Sequence, residues 1–431
     1  MTMNDGYLDF DEYIIASEPH KRERAEAWKV AIGLQAVDGL QVSEYLKQTA
    51  RRHIEGEITI DEAKELVKQY YVSKTQHDDD EDDKQEADRV STNIAKIINE
   101  RAFTFSTTGL ISIHRNLFSG VFKHAGQLRD YDITKKEWVL RGDTVLYGRW
   151  QDLRMALDYD IEKEKQFDYK GLSMEEVIAH LSRFVSSIWQ THPFREGNTR
   201  TTAVFTIKYL QSIGFKADNR MFEEHSWYLR NALVRANYKN VAKGISQDSH
   251  FLELFFRNLL MGENNELKNR YLLVNPPEEW KQPTCLSDSE RPATKVEQST
   301  GQVQDKYGTS VEGSPWCAVG SADKDHRRIV EGSPSEHRTS TGQAQDMLHT
   351  DNPNIQKLIR VVGEQELSVK EMMSGLGLKG RDNFLNVYLT AAISDGYVRL
   401  LYPQSPRHPR QKYLLTVKGM ALYNELTKGN V

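Results

Sequence analysis

The stretch Thr191-His192-Pro193-Phe194-Arg195-Glu196-Gly197-Asn198-Thr199-Arg200 joins two segments of helical periodicity, and its reading decides the fold. Before it, Ser173-Met174-Glu175-Glu176 has capping-box spacing, and Val177, Leu181, Phe184, Val185 and Ile188 recur on one helical face. After it, Ala203, Val204, Ile207 and Leu210 form a second stripe that ends at Gly214. The spacing predicts a helix, a loop of chemically distinctive residues, and a second helix.

A loop that ends at a helix N-terminus meets free backbone amides and the positive end of the helix dipole, so it can hold a phosphate. Gly197 allows close backbone approach, Asn198 adds a side-chain donor, and Arg200 can grip a second phosphate as a planar fork. Glu196 offers an oxygen ligand for a magnesium ion that bridges phosphates, and His192 can accept the proton of an attacking hydroxyl. Taken singly, each has an ordinary reading: a capping histidine, a carboxylate complementing the dipole, a solvated arginine. Their conjunction in one loop points to nucleotide chemistry.

This loop resembles the signature of the Fic family: His-Pro-Phe, two residues of which the second is acidic, Gly-Asn, one residue, and Arg. The likeness extends to Ile113-His114-Arg115-Asn116-Leu117-Phe118 and Ala125-Gly126-Gln127-Leu128-Arg129, and covers roughly residues 102–260. It implies a protein nucleotidyltransferase that moves a nucleotide monophosphate onto a Ser, Thr or Tyr hydroxyl of a target protein, with ATP or another nucleotide and Mg2+. The resemblance makes His192 the general base, Glu196 the magnesium ligand, Phe194 the anchor of the loop, and Gly197, Asn198, Thr199 and Arg200 the nucleotide-binding residues. It also makes Trp138, Val139, Leu140, Thr144 and Val145 part of a target-docking flap that aligns a target segment by strand addition. The sequence here, Glu137 to Leu146, reads as two short strands around a Gly-Asp turn.

Two positions depart from the best-studied members, which have Gly in place of Thr199 and a second Arg in place of Ala203. That second arginine helps to hold the γ-phosphate, so its absence predicts weaker selection for ATP, or a different nucleotide donor. The N-terminal residues resemble a small antitoxin-like helical module that obstructs Fic sites, through Ala31 to Leu40 and Glu55 to Ala63. Its inhibitory helix carries Ser or Thr, then Glu four residues on; here Leu34 and Asp38 occupy those positions. The resemblance implies a cap that obstructs less strongly than in the family, and a packing role alone is the alternative.

Outward from the loop, the 431 residues are more than one core usually organises. The acidic run at His77 to Lys84 reads as a solvated linker, and the Ser/Thr/Gly/Pro-rich stretch from about Asn275 to Thr350 as a flexible tether. Within the tether Ser299-Thr300-Gly301-Gln302 recurs as Ser340-Thr341-Gly342-Gln343 at no fixed repeat. From 354 to 431 the pattern is three short helices and two strands, with eleven Lys and Arg against six Asp and Glu. This part looks like a winged helix-turn-helix in which Lys379, Arg381, Arg407 and Arg410 could contact DNA phosphates; the helix from Asn383 has few groups to read bases, and protein recognition is the alternative.

The expected fold is mainly α: an antitoxin-like helical module over 1–76, an acidic linker over 77–92, a Fic domain with a β-hairpin flap over 93–266, a linker over 267–352 and a winged-helix domain over 353–431. No apolar run is long enough to span a membrane and residues 1–10 do not read as a secretory signal, so a cytoplasmic location is expected. Cys285 and Cys317 are too few for a disulfide framework. The competing function is a DNA-binding regulator whose Fic domain senses a nucleotide without effective catalysis; a homo-oligomer is left open.

Overall fold

The computed structural model describes residue 10 and residues 18–74, 79–100, 102–215, 219–276, 350–403, 405–406 and 408–428. The chain is mainly helical, with one small antiparallel sheet among the described residues. Cys285, Cys317, the tether repeats and Arg407 lie outside the described residues.

The N-terminal helices are α1 (Pro19–Gly33), α2 (Glu44–Glu55) and α3 (Ile60–Val72). Ser43 and Thr59 cap the latter two through their hydroxyls, and Thr59 with Glu62 completes a capping box. A 3-10 turn, Leu34–Asp38, follows α1 and ends at Gly39 in the left-handed region, φ 71°.

The next element corrects the expected acidic linker. Residues Asp79–Asn99 form one helix of 21 residues, α4, whose carboxylates crowd the N-terminal turns, where the dipole stabilises negative charge. Further along, Ala87, Asp88, Val90, Ser91 and Thr92 are buried, so the segment is core rather than tether. Asp88 accepts hydrogen bonds from the Ser43 backbone N–H (2.8 Å), the Ser43 hydroxyl (2.5 Å) and the Tyr71 hydroxyl (2.8 Å), joining α4 to both α2 and α3. Composition pointed to solvation; Ala87, Val90, Ile94 and Ile97, spaced three or four apart and all buried, decide for packing.

The central part contains α5 (Thr107–Leu117), α6 (Leu153–Lys165), α7 (Met174–Thr191), α8 (Asn198–Ser212), α9 (Asn219–Glu224), α10 (Ser226–Asn237) and α11 (His250–Met261). Ser173 and Glu176 form the expected capping box on α7, whose buried stripe runs from Val177 to Trp189. Helix α8 is buried from Asn198 to Leu210 on every side, including Thr201, Thr202, Thr206 and Lys208, which makes it the axis of this part. Trp28, Leu34 and Val67 share one hydrophobic core with Leu117, Val204 and Leu233, so the N-terminal helices and the central part are packed as one body. The described start of the expected linker also belongs to it: Leu267 and Leu272 are buried in the same core.

The expected β-hairpin over 137–146 is absent. Trp138–Leu140 is a 3-10 turn, Arg141 is left-handed at φ 54°, and Glu137 N–H donates to Asp143 C=O at 2.9 Å to close the loop. A strand would place Val139 and Leu140 on opposite faces, yet both are buried, at 0% and 3% exposure, which a helical turn permits. Side bonds fix the turn: Val274 N–H donates to Val139 C=O, and the Arg141 guanidinium donates to the carbonyls of Val274 and Asn275.

The C-terminal part has its own core, which includes Ile355, Leu358, Phe384, Leu389 and Tyr397. It comprises α12 (Pro353–Val362), α13 (Val369–Gly375), a continuous helix α14 over 381–394 with a π-helical middle, β1 (Val398–Leu400) and β2 (Tyr413–Leu415). The strands pair antiparallel with Val398 opposite Leu415. A closing helix, α15 (Val417–Lys428), lay outside the sequence expectation; its Asn424 amide donates to Leu172 C=O of the central part at 3.0 Å.

Candidate functional site

The site is the loop between α7 and α8. Both ends of the loop are left-handed: His192 at φ 47° and Gly197 at φ 71°. A Cβ on Gly197 would lie 2.1 Å from Phe118 Cζ, so this glycine is required by conformation and by space. Asn198 closes the loop on itself, since its Oδ1 accepts from Phe194 N–H at 2.9 Å and its Nδ2 donates to Phe194 C=O at 2.7 Å. Its amide therefore shapes the cradle, where the sequence reading gave it to a phosphate. Phe194, 1% exposed, stacks on His114 with centroids 3.7 Å apart.

Thr199 is likewise engaged within the fold. Its hydroxyl accepts from Trp189 Nε1 at 2.9 Å, locking the end of α7 to the start of α8. Glu196 is exposed, and its backbone C=O faces His114 Nε2 at 3.1 Å. His114 Nδ1 accepts from Gly126 N–H at 2.8 Å, so Nε2 carries the proton and donates to Glu196. Burial pushes His114 down to about 3, which keeps it neutral in this role.

Arg129 organises the other side. Its backbone N–H donates to Pro193 C=O at 2.9 Å. Its buried guanidinium donates to the carbonyls of His192 (2.8 Å), Tyr131 (2.7 Å) and Gly148. His192 is 3% exposed, with Nδ1 3.3 Å from Trp189 C=O and its ring 4.3 Å from that of Tyr147. Burial first, then the charges of Lys135, Arg230 and Arg129, hold this imidazole well below its ordinary value. It is neutral, and with the proton on Nδ1 its Nε2 presents a lone pair.

Arg200, 2% exposed, is surrounded by acceptors from the N-terminal helices. Its Nη1 donates to Gln35 Oε1 at 3.0 Å, its Nη2 to Glu86 Oε1 at 2.8 Å, and its Nε lies 2.6 Å from Asp38 Oδ2. Asp38 also reaches Arg230 Nη1 at 3.5 Å. Burial would lower the Arg200 guanidinium, and the carboxylates of Asp38 and Glu86 outweigh that and raise it. Leu34, by contrast, is fully buried in the core.

Of the expected flap residues, Val139, Leu140 and Val145 are buried, Thr144 is half-buried and Trp138 is 45% exposed. Lys379, Arg381 and Arg410 are exposed on the C-terminal part. Arg129, His114, Gln35, Glu86 and Arg230 were not assigned roles from the sequence. Arg129 and His114 lie in stretches that carried the family resemblance and Gln35 in the stretch that carried the antitoxin-like one; Glu86 and Arg230 have no local signal.

A helical protein with a buried neutral histidine in a tight loop at the start of its central helix is thus defined by fold and site. Residues 104–210 match the Fic/DOC family, and residues 353–416 match the C-terminal domain of Fic-like proteins, filamentation induced by cAMP. The chain carries a Fic/DOC-family domain followed by a Fic-like C-terminal domain. It is 28% identical over 124 residues to a protein of Escherichia coli named probable protein adenylyltransferase Fic, covering 28% of this chain and 58% of the relative. It is 25% identical over 144 residues to a protein adenylyltransferase of Bartonella henselae, covering 31% of this chain and 26% of the relative. The chain therefore spans less than two thirds of either relative. Among solved structures, a Fic family protein from Desulfovibrio desulfuricans aligns over 91% of this chain and 87% of its own, at 14% identity and a TM-score of 0.34.

Proposed function

We propose that this chain is a protein nucleotidyltransferase of the adenylylating kind, held in a restrained state by its N-terminal helices. The observation that carries the reading is the neutral His192 imidazole beside a loop whose backbone, Gly197 and Arg200 suit a nucleotide's phosphates. The target hydroxyl oxygen attacks the α-phosphorus of ATP, and its proton passes to His192 Nε2. The bond from the α-phosphorus to the oxygen bridging to the β-phosphate breaks, and pyrophosphate leaves with the electron pair. The chain's contribution is positioning and charge neutralisation: Arg129 fixes the His192 carbonyl, and Arg200 binds phosphate once freed of its carboxylate partners.

No group of three His, Cys, Asp or Glu side chains able to hold a metal occurs among the described residues. The exposed Glu196 carboxylate beside the cradle fits a Mg2+ ion held by one carboxylate and the nucleotide's own phosphates. When bound, that ion neutralises phosphate charge.

The restraint rests on Asp38, which together with Glu86 occupies Arg200, while Tyr147 lies against His192. In this reading Asp38 acts on Arg200, the arginine of the loop itself. The reading is tested by incubating target-containing lysate with labelled ATP, GTP, UTP or CTP and the full chain, its Asp38→Ala variant, or Asp38→Ala with His192→Ala. Labelling that rises in the first variant and vanishes in the double variant is expected. Folded Asp38→Ala protein that labels nothing with any of the four would overturn the transferase and favour a nucleotide-sensing regulator.

A further inference from the structure

Ala203, where the sequence comparison predicted a missing phosphate contact, is buried beside Val185, Leu229, Leu233 and Phe256. Position 203 therefore faces a small apolar space that Leu229 and Leu233 of α10 also line, and a long cation there would be directed into the core. Arg230 is the residue next to Leu229 on this helix, so it projects from an adjacent face.

That face looks onto the loop. The Arg230 side chain is 11% exposed and its Nη1 meets the same Asp38 carboxylate that Arg200 holds. Its charge reaches His192 as well. Its Nη2 is 3.3 Å from Glu137, which is 2% exposed and lies at the base of the 138–140 turn. One carboxylate thus bridges two buried guanidinium groups from two helices, as a phosphate oxygen pair would. Arg200 Nε, although 2.6 Å from Asp38 Oδ2, makes no aligned hydrogen bond to it, so an anion with tetrahedrally disposed oxygens could satisfy this group better than the planar carboxylate does.

We infer that Arg230 supplies the second cationic arm of the phosphate site, so that Arg200 and Arg230 together hold the outer phosphates of a nucleoside triphosphate where the Asp38 carboxylate now lies. The inference rests on the nucleotide reading of the loop and reverses one expectation from the sequence: selection for ATP does not depend on an arginine at position 203. It also gives Asp38 its chemistry, a carboxylate that competes with phosphate for two arginines.

The test is calorimetric titration of the full-length Asp38→Ala variant, with and without Arg230→Gln, using ATP, AMP and inorganic pyrophosphate. Loss of one charge-assisted arm should weaken ATP and pyrophosphate about 10- to 100-fold and leave AMP within about 3-fold. Equal losses for ATP and AMP, or no loss for either, would overturn the inference. Should the glutamine variant fail to fold because Glu137 loses its cation, Arg230→Lys keeps the charge but not the fork. It should then cut the ratio of ATP to AMP affinity by roughly 3- to 10-fold, and an unchanged ratio refutes the role. Pyrophosphate binding that depends on Arg230, in protein that binds no nucleotide, would leave the anion site standing and remove the transferase reading; no binding of any of the three would remove both.

Discussion

Replacing Arg129 by Met should disable the site from beneath. The guanidinium is fully buried and donates to the carbonyls of His192, Tyr131 and Gly148, with Thr191 C=O a fourth neighbour at 3.4 Å. Methionine fills much of the volume and donates nothing. Each buried carbonyl left without a donor costs about 1–3 kcal/mol, so three set an upper range of roughly 3–9 kcal/mol. Removing a buried cation recovers part of its desolvation, and Tyr131 is 46% exposed and can turn to water, so about 3–5 kcal/mol is expected. Arg129→Lys keeps the charge but cannot fork to three acceptors, and should fall between the two. Urea denaturation followed by circular dichroism measures the loss. The left-handed His192 depends on the same carbonyl contact, so transfer by folded Met variant should fall further than its folded fraction. A Met variant within about 1 kcal/mol of the parent protein, with full transfer, would refute the view that this arginine frames the loop.

Three other outcomes are expected. Gly197→Ala places a Cβ 2.1 Å from Phe118 at φ +71°; it should lose at least about 2 kcal/mol, and a melting temperature equal to that of the parent would contradict the packing. His53 accepts from Trp28 Nε1 at 3.0 Å and is pushed down to about 4, by burial first and then Arg24. Below its unfolded value near 6.5 the unfolded chain takes up a proton that the fold refuses, so stability present above that pH is lost as pH falls toward 4. The loss is up to about 3 kcal/mol, and His53→Gln should flatten that part of the profile measured by denaturation at stepped pH. Asp88→Ala leaves the Ser43 amide and Tyr71 hydroxyl without their acceptor and should cost about 3 kcal/mol, with Asp88→Asn costing less; the order is read from urea midpoints.

The central helices were legible because their signals are local. The capping box at Ser173 and Glu176 and the stripe from Val177 to Ile188 are written within one helix, and so is the loop that follows. The acidic segment does not read as a helix because charge near Asp80 outweighs the helical spacing of Ala87, Val90, Ile94 and Ile97, although carboxylates at a helix N-terminus are favourable. The 138–140 turn is not legible locally because its apolar run also fits a strand, and the Val274 and Asn275 groups that fix it through Val139 and Arg141 are over 130 residues away. Glu86 meets Arg200, and Arg230 meets the Asp38 that Arg200 holds, across distances in sequence that no periodicity reports. Ala203 was a genuine departure whose meaning appears only once the neighbouring helix is in place.

The 3-10 turn Leu34–Asp38 sits between Gly33 and a left-handed Gly39 that has open space around its Cα, while Leu34 and Val37 are rooted in the common core. Cutting away the first three helices to relieve the site would strip Trp28, Val30, Leu46 and Val67 from that core and leave a wounded protein instead of an unlocked one. Under the proposed restraint the element is a latch cast in one piece with the door frame: opening it means drawing the Asp38 and Glu86 carboxylates off Arg200 while Leu34 and Val37 stay rooted in the core.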